Sequence, residues 1–153
     1  MNFSSVLVTG GAGFIGSHLV ARLLKEGFAV VVLDNLSTGG LKNLELCLEN
    51  ENFRFVKGSI IDEQMVRDAL KDVEVVFHLA AITSVPYSVE YPDVTREVNV
   101  DGTRRLLEEC LSAGVERFIY VSSCAVYGEP EYLPIDEEHP ARPVSPYAES
   151  KLE

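Results

Sequence analysis

Thr9-Gly10-Gly11-Ala12-Gly13-Phe14-Ile15-Gly16 follows the apolar run Val6-Leu7-Val8 and opens an amphipathic segment that ends near Gly27. A strand, a glycine-rich turn and a helix in that order form a cradle for a pyrophosphate, because backbone N–H groups at a helix start face the anion. Gly10, Gly13 and Gly16 permit the tight turn, the close approach of phosphate and the packing of helix on strand. Phe14 and Ile15 open the helix. Asp34 lies 18 residues beyond Gly16, after the second apolar run Phe28-Ala29-Val30-Val31-Val32-Leu33. An acid there accepts hydrogen bonds from ribose hydroxyls and repels a 2′-phosphate, so the pattern reads as NAD rather than NADP. The alternative is a structural glycine turn with a solvated acid. The sequential order of all five parts favours the nucleotide.

The rest of the chain extends this unit. Apolar runs predict strands at Ser5–Thr9, Ala29–Asp34, Phe53–Lys57, Val73–Leu79 and Arg117–Ser122, nearly continuous in character as parallel strands covered on both faces are. Ile15, Leu19, Val20, Leu23 and Leu24 are expected to line the buried face of the first helix, with Gly27 as its stop. A short helix is expected over Leu41–Glu49, another from the cap Asp62 to about Lys71, and a long one over Pro92–Ala113 with Val98, Leu106, Leu107, Cys110 and Leu111 inward. The fold class is therefore α/β, a doubly wound parallel sheet or Rossmann fold, in one domain over 1–153. Glu129–Val144 carries four prolines and five acidic residues without periodicity. It reads as a long loop of functional character. Ser145 and Pro146 then start a helix.

Composition narrows the partners. A net charge of −11 over 153 residues argues against nucleic acid and against anionic membranes. No apolar run approaches the roughly 18 residues of a membrane span. Met1-Asn2-Phe3-Ser4-Ser5 has no basic region and carries no leader pattern. Cys47, Cys110 and Cys124 are odd in number and lack metal-ligand spacing, so a reduced, cytoplasmic setting is expected and no metal.

Tyr147-Ala148-Glu149-Ser150-Lys151 sets a phenol and an ammonium four residues apart on one helical face. The cation favours phenolate, and a phenolate takes a proton from a sugar hydroxyl as hydride leaves the same carbon. Lys151 can also hold a nicotinamide ribose. Tyr120-Val121-Ser122-Ser123-Cys124-Ala125-Val126-Tyr127-Gly128 runs off the carboxyl end of the fifth strand, the edge where open α/β sheets bind ligands. A hydroxyl at Ser123 can bridge the tyrosine and substrate oxygens, or satisfy backbone at the strand end.

Together these elements resemble the extended short-chain dehydrogenase/reductase family, in its NAD-dependent sugar-nucleotide epimerase/dehydratase branch. The resemblance covers the whole chain. It implies that Asp34-Asn35-Leu36-Ser37-Thr38-Gly39 is the adenosine-ribose segment, with contacts from Asp34, Asn35, Ser37, Thr38 and Gly39. It implies that Leu79, Ala80 and Ala81 of His78-Leu79-Ala80-Ala81 lie on the nicotinamide side. Asn99, Val121, Ser59 and Ile60 join them as cofactor contacts, Ile60 packing on the adenine. By the same resemblance Tyr147 is the acid/base, Ser123 positions the substrate hydroxyl, and Lys151 tunes Tyr147 and holds cofactor.

Two departures bear on the reaction. The family often has Asp where Ser59 follows Gly58. Its 4,6-dehydratases carry an Asp-Glu pair where this chain has Cys124 and Ala125, and the Glu usual in its uronate decarboxylases is also missing. The resemblance therefore implies 4-epimerisation of a UDP-hexose through a 4-keto sugar. A cofactor-binding fragment without turnover, or another dehydratase, decarboxylase or reductase of the family, stands as the alternative. A homodimer built on the long helix and the Tyr147 helix is implied for the intact enzyme. Family members run to roughly twice this length. The sheet is accordingly expected to be truncated, lacking the substrate domain, and the isolated chain to be inactive. His18 is expected at the surface, His139 in solvent, His78 packed on the sheet, and Cys124 without a nucleophilic role. The acid cluster from Glu129 to Glu138 is expected to be a solvated face, and the Thr83–Ser88 loop to border the sugar.

Overall fold

The computed structural model describes residues 3–153; Met1 and Asn2, on which the expectation of no leader partly rests, lie outside the described residues. The chain folds as two compact units, each built from separated segments. The first takes the chain up to Ala80 together with Thr103–Val121, and the second takes Ala81–Gly102 and Ser122–Glu153.

The first unit is the sheet and its helices. Strands β1 (Ser5–Thr9), β2 (Ala29–Asp34), β3 (Phe53–Lys57), β4 (Val75–His78) and β5 (Arg117–Tyr120) are all parallel, in the order β3-β2-β1-β4-β5. The order reverses between β1 and β4, so a crevice opens at their carboxyl ends. The register brings Thr9 level with Leu33 on one side and His78 on the other, so the ends that matter share one edge. Val6, Leu7, Val8, Val30, Val32 and Val76 are at most 1% exposed, as sheet residues covered on both faces should be. β4 and β5 are shorter than their apolar runs. Asp72, at φ 60°, turns the chain before β4, and Val73 bonds back to Leu70 rather than into the sheet.

Helix α1 (Phe14–Lys25) buries Gly16, Ser17, Val20 and Leu24. Ile15, expected inward, is exposed, because its first-turn position precedes the stretch that packs. Leu41–Cys47 forms a 3₁₀ segment rather than an α-helix. Leu41, Leu44 and Cys47 recur every third residue, the period that aligns side chains in that geometry, and Leu44 and Cys47 are buried. Helix α2 (Glu63–Ala69) starts at Asp62, whose carboxylate accepts from the Met65 N–H at 3.1 Å.

The second unit opens with α3 (Val85–Glu90), a helix where a loop was expected, capped by Ser84. Pro92 to Ala113 is helical as predicted, but as α4 (Pro92–Arg96), a π-helical turn (Glu97–Gly102) and α5 (Thr103–Ala113). The wider turn rotates the facing of the residues after it. Leu106 and Cys110 are buried as expected, while Leu107 is 40% and Leu111 81% exposed. After a 3₁₀ turn (Cys124–Tyr127), Glu129–Val144 is irregular, with 129–138 solvated, and α6 (Pro146–Leu152) follows its Ser145 cap. His139 corrects the expectation of a solvated imidazole. It is 4% exposed, its Nε2 accepts from the Glu131 N–H at 2.9 Å, and the Tyr127 and Tyr132 rings lie 5.5 and 4.7 Å away. Two aromatic partners make a pocket for the ring inside an otherwise polar loop.

Candidate functional site

In the first unit the glycine turn is shaped by contact. Gly10 has φ 70°, and a Cβ there would stand 2.8 Å from the Ala80 nitrogen; at Gly16 it would stand 2.3 Å from the Gly10 carbonyl oxygen. No side chain fits at either place. At Gly13 a Cβ would meet only the Gly10 oxygen, at 3.3 Å, so that position is otherwise open. Gly13 caps α1 without a side-chain bond, no acid stands in the first turn, and Phe14 and Ile15 are 80% and 65% exposed. The helix start is therefore bare backbone with a positive end, fit for phosphate.

Asp34 is 9% exposed at the end of β2. Its Oδ2 accepts from the Ala12 N–H at 2.9 Å and its Oδ1 from the Leu36 N–H at 2.7 Å. A carboxylate has about four acceptor positions, so two hydroxyl donors can still be served. Asn35 accepts from the Ser37 N–H at 3.0 Å, and Ser37 and Thr38 are exposed. Gly39 lies against the glycine turn: a Cβ there would stand 2.5 Å from the Ala12 oxygen. The Gly40 N–H and the Asn43 amide both donate to that oxygen, at 3.1 and 2.8 Å. The segment after Asp34 thus closes onto the glycine turn, a contact the sequence reading did not foresee. Ser59 is half-buried and accepts weakly from the Ile61 N–H at 3.4 Å. Ile60, expected against an adenine ring, is 3% exposed; its apolar side chain is drawn into the protein and offers a ligand little more than an edge.

At the edge between β1 and β4, Thr9 Oγ1 accepts from the Ala80 N–H at 3.2 Å and pairs with His78 Nδ1 at 2.7 Å. His78 Nε2 pairs with Thr103 Oγ1 at 2.8 Å, and the ring is 1% exposed. The imidazole is a buried strut that sets Leu79 and Ala80 at the crevice. Val121 donates its N–H to the His78 carbonyl at 3.1 Å and is 38% exposed. The turn, Asp34, Leu79, Ala80 and Val121 thus lie along the carboxyl edge of the sheet in this unit.

In the second unit Ser123, Tyr147, Lys151, Asn99 and Ala81 come from the remaining segments. Ser123 Oγ accepts from the Ala125 N–H at 3.2 Å, the strand-end bond expected as its alternative use. Tyr147 is half-buried in the first turn of α6. Lys151 is 5% exposed, and burial pushes its ammonium down to about 8. At neutral pH it stays a cation. Ser122 Oγ donates to the Lys151 carbonyl at 3.1 Å. Asn99, on the π turn and 3% exposed, spends its amide inward: Oδ1 accepts from the Ile82 N–H at 2.8 Å, and Nδ2 donates to the Ile82 carbonyl and Ser150 Oγ, both at 2.9 Å. Expected as a cofactor contact, its side chain holds the segment after Ala81 and the Tyr147 helix. A π turn at such a place is common in functional sites. Ser88, also unforeseen, is fully buried and accepts from the Tyr147 N–H at 3.1 Å. The Ser84-Val85-Pro86 sequence, a cap with an early proline, was the signal for its helix. Cys124 is exposed, whereas Cys110 is buried and its thiol is pushed up to about 12. Among the described residues no cluster is suited to a metal, and no helix is long and apolar enough to cross a membrane.

Comparison with known proteins adds to this geometry. The profile of the family described as GDP-mannose 4,6 dehydratase matches residues 7–153. A UDP-glucose 4-epimerase of Mycolicibacterium smegmatis is 47% identical over 148 residues, which are 95% of this chain and 47% of that protein. The solved UDP-N-acetylglucosamine 4-epimerase of Methanobrevibacter ruminantium M1, in complex with UDP-N-acetylmuramic acid, superposes with a TM-score of 0.91 at 40% identity, covering 99% of this chain and 48% of that one. The Thermus thermophilus UDP-glucose 4-epimerase complex with NAD gives a TM-score of 0.87 at 45% identity, covering 96% and 47%. This chain spans about half the length of the relatives it matches.

Proposed function

The chain belongs to the GDP-mannose 4,6 dehydratase family, and from that premise we propose that it is the dinucleotide-binding part of an NAD-dependent 4-epimerase acting on a UDP-hexose. The observation that carries this reading is the turn from Gly10 to Gly16, closed to side chains, with Asp34 keeping free acceptor positions beside it. The turn and the start of α1 would hold the pyrophosphate of NAD, and Asp34 its ribose hydroxyls; bound there, the cofactor would supply a reversible hydride acceptor for the sugar's oxidation.

The chain's own residues handle the proton. Ser123 Oγ holds the sugar C4 hydroxyl. The Tyr147 phenolate oxygen takes the hydroxyl proton as that carbon is oxidised, and gives it back when the carbon is reduced from its other face. The buried Lys151 ammonium, one turn on in α6, keeps a positive charge in this unit without consuming a proton itself. Cys124 and Ala125 carry no group able to remove water from the sugar, which supports epimerisation over dehydration within the family. We further propose a homodimer that covers Leu107 and Leu111, apolar side chains left outward on α5.

Turnover of UDP-galactose by the full-length protein, followed alongside absorbance at 340 nm, tests the reading. Epimerisation without accumulating NADH is the expected result, because the hydride is recycled; a reductase accumulates or consumes it. Tyr147→Phe is expected to lower kcat by about 10²- to 10⁴-fold. A parental rate in that variant overturns the assignment.

A further inference from the structure

Tyr147 is held by its backbone as well as by its helix. It stands one residue after Pro146 in α6, so its N–H is one of the donors a helix start leaves without an intrahelical partner. Ser88 Oγ takes that N–H at 3.1 Å and donates its own hydrogen to the Val85 carbonyl at 2.7 Å, which fixes the direction of both bonds. On the other side, the Tyr147 carbonyl accepts from Ser150 Oγ at 2.8 Å. Ser150 Oγ accepts in turn from Asn99 Nδ2 at 2.9 Å, and Asn99 is braced on both backbone groups of Ile82. Ser88, Ser150 and Asn99 are 0%, 6% and 3% exposed, so water does not substitute for any of them cheaply.

We propose that Ser88 and Ser150 are positioning residues that clamp the Tyr147 backbone and thereby set the phenol against the Lys151 ammonium. The proposal rests on the reading of Tyr147 as the acid/base. Ser88 reaches the Tyr147 N–H from α3, and Ser150, one turn on in α6, back-bonds the Tyr147 carbonyl while itself held by Asn99 from the π turn, so both peptide groups of the one reacting residue are tied to buried hydroxyls that distant segments hold in place. Loosening either hydroxyl lets the phenol drift from the cation and misplaces the reacting oxygen.

The test measures kcat and KM for UDP-galactose in full-length Ser88→Ala and Ser150→Ala, normalised to folded protein by circular dichroism. Each variant is expected to lose about tenfold in kcat, with KM within about twofold of the parent. An unchanged kcat overturns the clamp, as does a loss that vanishes on normalisation or that falls on KM alone. If one variant does not fold, the other decides. Tyr147→Phe runs beside them. A slow Tyr147→Phe with both serine variants at parental rate sinks the clamp alone, whereas a fast Tyr147→Phe sinks the functional reading and the clamp together.

Discussion

At the scale of single residues, the site is organised by where a side chain is impossible or expensive. Gly16→Ala places a methyl 2.3 Å from the Gly10 oxygen, a backbone atom that cannot step aside. The expected result is at least a tenfold loss of NAD affinity by calorimetry, together with a lowered Tm. Lys151 is expensive for another reason. Its pKa falls from 10.5 to about 8 through burial, so below pH 8 the folded state holds a proton at a cost on the order of 3 kcal/mol. Between pH 8 and 10.5 the unfolded chain binds more protons than the folded one, and stability rises with pH. Lys151→Met is therefore expected to be more stable than the parent at pH 7 in urea denaturation, with the gap closing as pH approaches 10.5. A cost kept at neutral pH fits a cation needed for chemistry. The glycines and the Tyr147/Lys151 pair were legible because their spacing carries the meaning. Ser88 and Ser150 were not, since a serine that caps and a serine that decorates a surface look alike until burial is known.

At the scale of elements, one residue, Glu74, ties the amino ends of three strands together through its carboxylate and its backbone carbonyl. Glu74 Oε2 accepts from the Ser4 and Ser5 N–H groups at 2.6 and 3.0 Å, and its backbone carbonyl accepts from the N–H groups of Glu116 and Arg117 at 2.9 and 3.3 Å. The Ser4 N–H first, then the Ser4 hydroxyl and the Ser5 N–H, hold its carboxyl below the usual 4.5. A depressed folded pKa stabilises above pH 4.5 and loses that contribution as pH falls through the folded value. Glu74→Gln is thus expected to melt below the parent at pH 7, with the gap narrowing as pH falls below 4.5 through the carboxyl's lowered folded value, measured by thermal denaturation. The strands themselves were readable as apolar runs, in number and in order. Their ends were not, because a turn such as Asp72 competes with pairing by geometry rather than hydropathy. The long helix was readable too, yet its π turn leaves no periodic mark, and so Leu107 and Leu111 fell on the wrong face.

At the scale of the whole molecule, β5 ends the sheet order with no strand beyond it among the described residues, and Leu111 stands 81% exposed. A purified 153-residue chain is expected to sediment above its 16.9 kDa monomer mass and to turn over no UDP-galactose, since it spans about half of its relatives. Monomeric sedimentation or robust turnover would contradict this. The fold class was legible from alternation alone. The division into two units was not, because it depends on which distant segments meet.

That division constrains how the protein is made. Ala81–Gly102 is synthesised ahead of β5, yet the groups that Ser88 and Asn99 grip, on Tyr147 and Ser150, are translated only after it. The emerging polypeptide can join β1 to β5 while that stretch still waits on the ribosome for its counterpart. The residues proposed to handle the proton therefore come together after the five strands do, and the glycine turn proposed to hold the nucleotide stands ready before them.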